Sequence, residues 1–262
     1  MINRFFLFLF ILIFVSTAHA EYRTNIKSIN TSAFSVPILL YHRFGFSVTD
    51  SMTITIDTFE SHLKYLKSNG YKIIPLRQLV DFYIKKNKVP ESHSVVIVVD
   101  DAHKSVFSHM LPVVKKYNIP VTLFVYPSAI SNASYAMTWE QLRELKKTGL
   151  FDIQSHTYWH PNFNKEKKKM SPSDYNKFID MQMKKSKDKL EKELGIYVDM
   201  LAWPFGIYNN ELEAKAKQHG YIAAFTIERR HAKPYDNPMS LPRYLLNNSI
   251  KGKTFERLIN NE

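Results

Sequence analysis

Val95-Val96-Ile97-Val98-Val99-Asp100-Asp101 is an unbroken β-branched run closed by two adjacent carboxylates. Such a run predicts a strand buried on both faces, the kind found in a parallel sheet covered by helices. Two carboxylates at its end would repel each other and lose hydration, which is costly unless a cation or a proton sits between them. A second run, Phe151-Asp152-Ile153-Gln154-Ser155, ends in His156, and His160 follows four residues later. One carboxylate plus two imidazoles is a common ligand set for a catalytic divalent ion, with a position open for water. The other carboxylate then has a role as a base beside that water. Blander readings stand beside each piece. An Asp-Asp pair caps helices or turns, and two histidines four apart share one face of any helix.

Outward from these runs, apolar strands and amphipathic helices alternate. The pattern predicts strands at 36–41, 71–75, 94–99, 121–126, 151–155, 198–203 and 221–226. It predicts helices at 58–69, 76–87, 105–117, 138–148, 173–194 and 209–219. Gly70, Gly149, Gly195 and Gly220 each follow a predicted helix, where a C-terminal cap favours glycine. Strand–helix alternation implies a parallel sheet with helical crossovers. Six or seven such units point to an α/β fold, a closed or nearly closed barrel of about seven parallel strands rather than an open sheet. Its chemistry belongs at the C-terminal rim, where His42, Asp100, Asp101, Tyr126, His156 and Trp203-Pro204 collect.

The chain ends bound the compartment. Asn3-Arg4, the apolar run Phe5–Val15 and Ala18-His19-Ala20 read as a signal peptide over 1–20. The run is too short for a span of roughly 20 apolar residues. The alternative is an uncleaved N-terminal anchor. Residues 21–35 read as a polar lead-in and 36–262 as one domain. The chain has no cysteine, which excludes disulfides, thiolate metal sites and a lipid-modified cysteine. With 45% hydrophobic residues, a conventional core must hold it. The formal charge of +12 favours anionic partners, but much of it lies in 165–192 and reads as a solvated helix face. Export makes nucleic acid an improbable target, and no segment after the signal is apolar enough to span a bilayer. The expected location is the periplasm or cell envelope, with secretion as the alternative. The oligomeric state is not legible.

Three motifs carry a resemblance. Val98-Val99-Asp100-Asp101-Ala102, Ser155-His156-Thr157-Tyr158-Trp159-His160 and Ala202-Trp203-Pro204-Phe205-Gly206 resemble those of the polysaccharide deacetylase family, the NodB-homology group of carbohydrate esterase family 4. Pro37-Ile38-Leu39-Leu40-Tyr41-His42-Arg43 is similar to the opening strand of the poly-β-1,6-N-acetylglucosamine N-deacetylase branch. The resemblance runs from about residue 36 to about residue 246. It implies a deformed barrel and metal-dependent hydrolysis of N-acetyl groups on an envelope or exported polysaccharide. Carried over, Asp100 is the general base and His42 the general acid, with Asp101, His156 and His160 as metal ligands. The ion would be zinc, with nickel, cobalt, manganese or iron as alternatives. His42 could instead be a core histidine, and His231 is the rival acid. Tyr126, Trp159, Trp203, Pro204 and Phe205 are candidates for substrate contact, their rings suited to stacking on sugars.

Two departures stand out. Ala102 occupies a position that is usually glycine, so a positive φ there would strain the metal-bearing strand end. Ala202 replaces an arginine that orients the base in many relatives, and Arg243 in Leu241-Pro242-Arg243-Tyr244 is a candidate to supply that guanidinium. Competing functions are an O-acetyl esterase or peptidoglycan deacetylase on the same scaffold, and a catalytically weak glycan-binding barrel.

Overall fold

The computed structural model describes residues 34–86 and 88–262. The predicted signal peptide over 1–20 and most of the predicted lead-in lie outside the described residues. Phe34–Glu262 forms one compact unit.

The chain order is β1 (Ile38–Tyr41), β2 (Arg43–Gly45), β3 (Thr53–Thr55), α1 (Ile56–Ser68), β4 (Lys72–Ile73), α2 (Leu76–Lys85), β5 (Ser94–Val99), α3 (Leu111–Tyr117), β6 (Val121–Val125), α4 (Trp139–Lys147), β7 (Phe151–Ser155), α5 (Phe163–Lys167), α6 (Pro172–Leu194), β8 (Met200–Ala202), α7 (Asn210–Gln218), β9 (Ala223–Phe225), β10 (Tyr244–Leu245) and α8 (Lys253–Asn260). The main sheet runs β10-β1-β5-β6-β7-β8-β9, all parallel, with β4 on the N-terminal end of β5. Leu241 makes a parallel bridge to Phe225 just before its chain continues into β10 beside β1. The segment from 241 to 246 thus joins the two edges of a curled seven-stranded sheet.

Strand alternation sorts the core into two sets. Ile38, Leu40, Val96, Val98, Phe124, Met200, Ala202, Ala223 and Phe225 form the inner set, joined by apolar residues of α2. Leu39, Tyr41, Val95, Ile97, Val99, Leu123, Val125 and Ile153 face the outer helices. Side chains two apart share a face of a strand, so a strand with both faces covered must be apolar throughout. That is why β5 is buried at all six positions.

The helices begin where the sequence supplies caps. Thr138 and Gln141 form a capping box, Ser171 caps α6 ahead of Pro172, and Gly195 ends α6 in the left-handed conformation. The helix predicted at 105–117 is wound differently over Val106–Met110, which forms a π turn in which the Leu111 amide donates to Val106. Pro112 has no N–H for the Ser108 carbonyl, and the widened turn absorbs that loss. The ribbon β2–β3, the short α5, β10 and α8 were not predicted. Each is two to eight residues long, too short for a periodic signal.

One boundary is corrected. Phe34 and Ser35 are not loose lead-in. Phe34 packs edge-on against Phe82 at 4.7 Å, and Ser35 donates its hydroxyl to His231 Nδ1 at 2.7 Å.

Candidate metal centre and active site

Register gathers the site. Tyr41 lies beside Val99 and Val125 beside Ser155, so the next residues on these neighbouring strands are His42 with Asp100 and Tyr126 with His156. These strand ends surround a cavity of about 340 Å³ whose lining includes His42, Asp100, Asp101, His156, His160 and Phe205. A larger groove of about 540 Å³ between α3 and α4 is lined by Leu111, Lys115, Glu144 and Lys147 among others and brings together no ligand set.

Asp100 is buried and gripped from below. Arg243 donates from Nη1 and Nη2 to its two carboxylate oxygens at 2.8 and 2.9 Å, and from Nε to the Thr226 carbonyl at 2.9 Å. Arg243 is itself fully buried, with its guanidinium 5.5 Å from the centre of the Phe124 ring. Burial alone would raise the Asp100 carboxyl. The charges of Arg243 and His156 and the hydrogen bonds from Arg243 outweigh it and hold the group at about 2. Asp100 is therefore an anion at neutral pH.

Asp101 behaves in the opposite way. Burial raises its carboxyl, assisted by the neighbouring charge of Asp100. Its Oδ1 is buried and has no hydrogen-bond partner. That oxygen lies 3.6 Å from His156 Nε2 and 3.8 Å from His160 Nε2. These separations are too long for hydrogen bonds. They are close to the ~3.3 Å expected between ligands about a tetrahedral ion with bonds of ~2.0 Å.

His156 donates from Nδ1 to the Ala202 carbonyl at 2.8 Å, which leaves the Nε2 lone pair directed at the cavity. Burial lowers its imidazole to about 3, so the ring is neutral, the state a metal ligand needs. Burial lowers His160 as well. Asp101, His156 and His160 thus form a group able to hold a cation. A buried acceptor without a donor, facing two neutral imidazole nitrogens, fits a divalent ion.

The two histidines do not share a helix. They sit on a tight loop after β7, in which Thr157 and His160 have φ of 64° and 61°. Asp101, Ala102 and Phe205 also have positive φ, so among the described residues five of the ten non-glycine residues in that region belong to these rim loops. Strain of this kind persists only where the surroundings over-determine the backbone. Here Thr157 receives the His160 amide on its hydroxyl at 3.2 Å. Gln182, buried on α6, accepts from the amides of Tyr158 and Trp159, both at 3.1 Å. Ser186, one turn on, bonds Ser155 at 2.8 Å. Gln182 and Ser186 were not singled out in the sequence. Their signal was two polar residues on the apolar face of a long amphipathic helix.

His42 lines the cavity, and its Nδ1 is buried without a partner. Burial lowers its imidazole, while Asp100 and Asp101 oppose that shift. His231 is elsewhere, donating from Nε2 to the Leu258 carbonyl at 2.9 Å and accepting from Ser35 at Nδ1. Both its nitrogens are occupied, and it does not line the cavity.

The apolar candidates divide. Phe205 is exposed, lines the cavity and packs edge-on against His160 at 4.6 Å. Tyr126 lies 5.4 Å from His160 and bonds the Tyr135 hydroxyl at 2.9 Å. Trp159 is exposed but packs on Phe178 and is not part of the lining. Trp203 and Pro204 are both buried. Trp203 donates its indole N–H to the Met239 carbonyl at 2.8 Å and lines the cavity, and Pro204 is not part of the lining. Met52, Ile227 and Leu245 complete the lining, and no motif marked them.

Comparison with known proteins accords with this geometry. The chain is 29% identical over 211 residues to a poly-β-1,6-N-acetyl-D-glucosamine N-deacetylase of Staphylococcus aureus, covering 79% of this chain and 71% of that one. It is 27% identical over 263 residues to the enzyme of the same name from Staphylococcus epidermidis, covering 94% and 89%. In fold it is similar to the Streptococcus pyogenes deacetylase PplD, solved with acetate, at a TM-score of 0.76, 23% identity and coverage of 86% and 98%. It is likewise similar to IcaB from Ammonifex degensii, at a TM-score of 0.76, 22% identity and coverage of 87% and 98%. The family model for polysaccharide deacetylase matches residues 87–224, more than half of the chain, and the protein belongs to that family.

Proposed function

We propose that this chain is a metal-dependent N-deacetylase of the cell envelope or periplasm, acting on a polysaccharide of poly-β-1,6-N-acetylglucosamine type. One observation carries the reading. A carboxylate locked as an anion by a buried arginine adjoins a carboxylate with an orphan oxygen facing two neutral imidazoles, in a single cavity. The names of the staphylococcal relatives support the substrate.

In this reading Asp101, His156 and His160 hold the ion, zinc being the best match to the donor set. Such an ion supplies Lewis acidity beside the acetamido carbonyl. Asp100 takes a proton from the attacking water, and Arg243 keeps that carboxylate ionised and aimed. His42 protonates the departing nitrogen. Burial that makes it a weaker base makes its cation a stronger acid, which suits transfer to an amine. One water adds to the carbonyl, the C–N bond breaks, and acetate and a glucosamine amine leave. Phe205 offers ring surface to the sugar in the cavity, and Tyr126 packs 5.4 Å from His160 beside it.

The test is acetate release by residues 21–262 from β-1,6- and β-1,4-linked N-acetylglucosamine oligomers, after chelation and with zinc restored. Release that needs metal and is faster on the β-1,6 oligomer is expected. A folded, zinc-loaded protein releasing nothing from either would sink the reading in favour of an O-acetyl ester substrate or a binding role.

A further inference from the structure

A second cavity, of about 320 Å³, lies between the chain after β9 and helix α8. Its lining includes Arg229, Arg230 and Arg257, with Tyr244 and Leu258 supplying apolar surface. The described residues contain seven arginines, and the other five, counting Arg230, are all paired with acids. Arg230 is balanced by Asp236 at 2.8 Å and Glu228 at 3.4 Å. Arg229 and Arg257 are in no ion pair, and both face this one groove. Arg229 is oriented by Tyr244, whose ring centre lies 5.9 Å from its guanidinium.

Among the described residues, two guanidiniums outside any ion pair thus line one concavity, with donors available to an anion. The one acidic side chain in the lining is that of Glu262, which accepts from Asn260 at 3.5 Å. Thr254 and Asn261 add neutral hydrogen-bonding groups. Guanidinium forks match phosphate oxygens in pairs, which an ammonium cannot do. The groove also adjoins the catalytic cavity along the chain. Ile227 and Leu245 line one, and Arg229 and Tyr244 the other.

We propose that this groove is a binding site for a phosphate group, held between Arg229 and Arg257. It goes beyond the deacetylase reading and does not depend on it, since neither arginine lines the catalytic cavity. Two sources share that chemistry, a soluble phosphorylated compound and a phospholipid headgroup.

The experiment is calorimetric titration of the chelated protein with pyrophosphate, comparing the parent, R229Q/R257Q and K251Q/K253Q. Chelation removes any contribution from an ion in the catalytic cavity. Loss of two charge-assisted contacts should weaken binding about tenfold or more in R229Q/R257Q. K251Q/K253Q, which lowers the charge nearby by the same amount, should change it by less than about threefold. Equal weakening in both variants, or no binding by the parent, overturns the proposal. Both pairs are exposed, and matching thermal melts show that the fold is intact. Sedimentation with phosphatidylglycerol vesicles that is lost in R229Q/R257Q assigns the phosphate to a lipid. Pyrophosphate binding without sedimentation assigns it to a soluble ligand.

Discussion

The barrel carries two aspartate–arginine pairs, one at each end, and they differ in what surrounds them. At the rim, Asp100 is held by Arg243, both closed off from solvent. Its neighbours Asp101 Oδ1 and His42 Nδ1 have no partners and face a cavity. At the base, Arg77 of α2 grips Asp199 at 2.5 and 2.7 Å, with the Arg77 side chain a third exposed. Asp152 beside it accepts from Gln154 at 2.8 Å, and Gln154 in turn accepts from the amides of Asp199 and Met200. The base is a closed hydrogen-bonded network, and the rim is an open one. An ion pair alone is therefore no sign of function. Unsatisfied polar atoms aimed at a cavity beside it are.

The largest expected difference follows from removing each arginine. Arg243→Gln leaves a fully buried carboxylate with a weakened partner and should cost about 3–5 kcal/mol of stability, along with most activity. Arg77→Gln lets water reach a partly exposed aspartate and should cost about 1–2 kcal/mol, with activity within about twofold of the parent. Asp100→Asn, which keeps the shape, should lower acetate release by about a thousandfold or more while the protein still binds zinc. Denaturant midpoints and acetate assays on the three variants read this out. Equal activity losses in the Arg77 and Arg243 variants would erase the distinction between the ends.

Metal supply sharpens the contrast next. An ion that binds only the folded state raises the melting temperature, by about 2.7 kcal/mol of stability at a hundredfold excess over its Kd. The parent and Arg77→Gln should both gain thermal stability with zinc and lose it with chelator. Asp101→Ala should not respond, because the orphan oxygen is gone. A full zinc response in Asp101→Ala would place the ion elsewhere.

A smaller effect is expected one layer out. Gln182 holds two amides of the loop that carries both histidines. Gln182→Leu is close in size but leaves those amides without an acceptor, and it should weaken zinc binding about 10- to 100-fold. Its counterpart at the base, Gln154→Leu, should lower stability and leave zinc affinity within about threefold of the parent. Competition with a chromogenic chelator measures both.

The sequence was most legible where long periodic runs met chemistry. Val95–Asp101 and Phe151–His156 fall on β5 and β7 with ends as expected, and Arg243 lies against Asp100 although 143 residues separate them. Rim position was readable because each candidate follows a strand. Burial of an aromatic at that rim was not. Trp203 and Phe205 are two residues apart in one motif, yet one is enclosed and the other exposed, because Phe205 takes a positive φ that turns the chain outward. Helix-borne support was hidden too. Gln182 and Ser186 touch the rim loop through a packing of α6 on β7 that no local pattern encodes. Positive φ at Thr157 could not be foreseen, since a β-branched residue disfavours it, and the loop is held by its own Thr157 hydroxyl and by Gln182.

Ala102 is the smallest test and the most local. Its φ of 56° is the left-handed value that a glycine would take without cost. Relief of about 1–2 kcal/mol of strain in Ala102→Gly is offset by about 0.4–1 kcal/mol of added unfolded-chain entropy and about 0.8 kcal/mol from the lost buried methyl. The net change in stability should lie within about 1 kcal/mol of zero. Metal affinity is the more telling readout. The Ala102 carbonyl is already pinned by the Met137 amide at 3.0 Å, and Asp101 still faces both histidines. The alanine is therefore accommodated without displacing the ligand, and Ala102→Gly should alter zinc affinity by less than about threefold. Tightening of tenfold or more would show that the strain at Ala102 reaches Asp101 and that the rim is held less firmly than its hydrogen bonds imply.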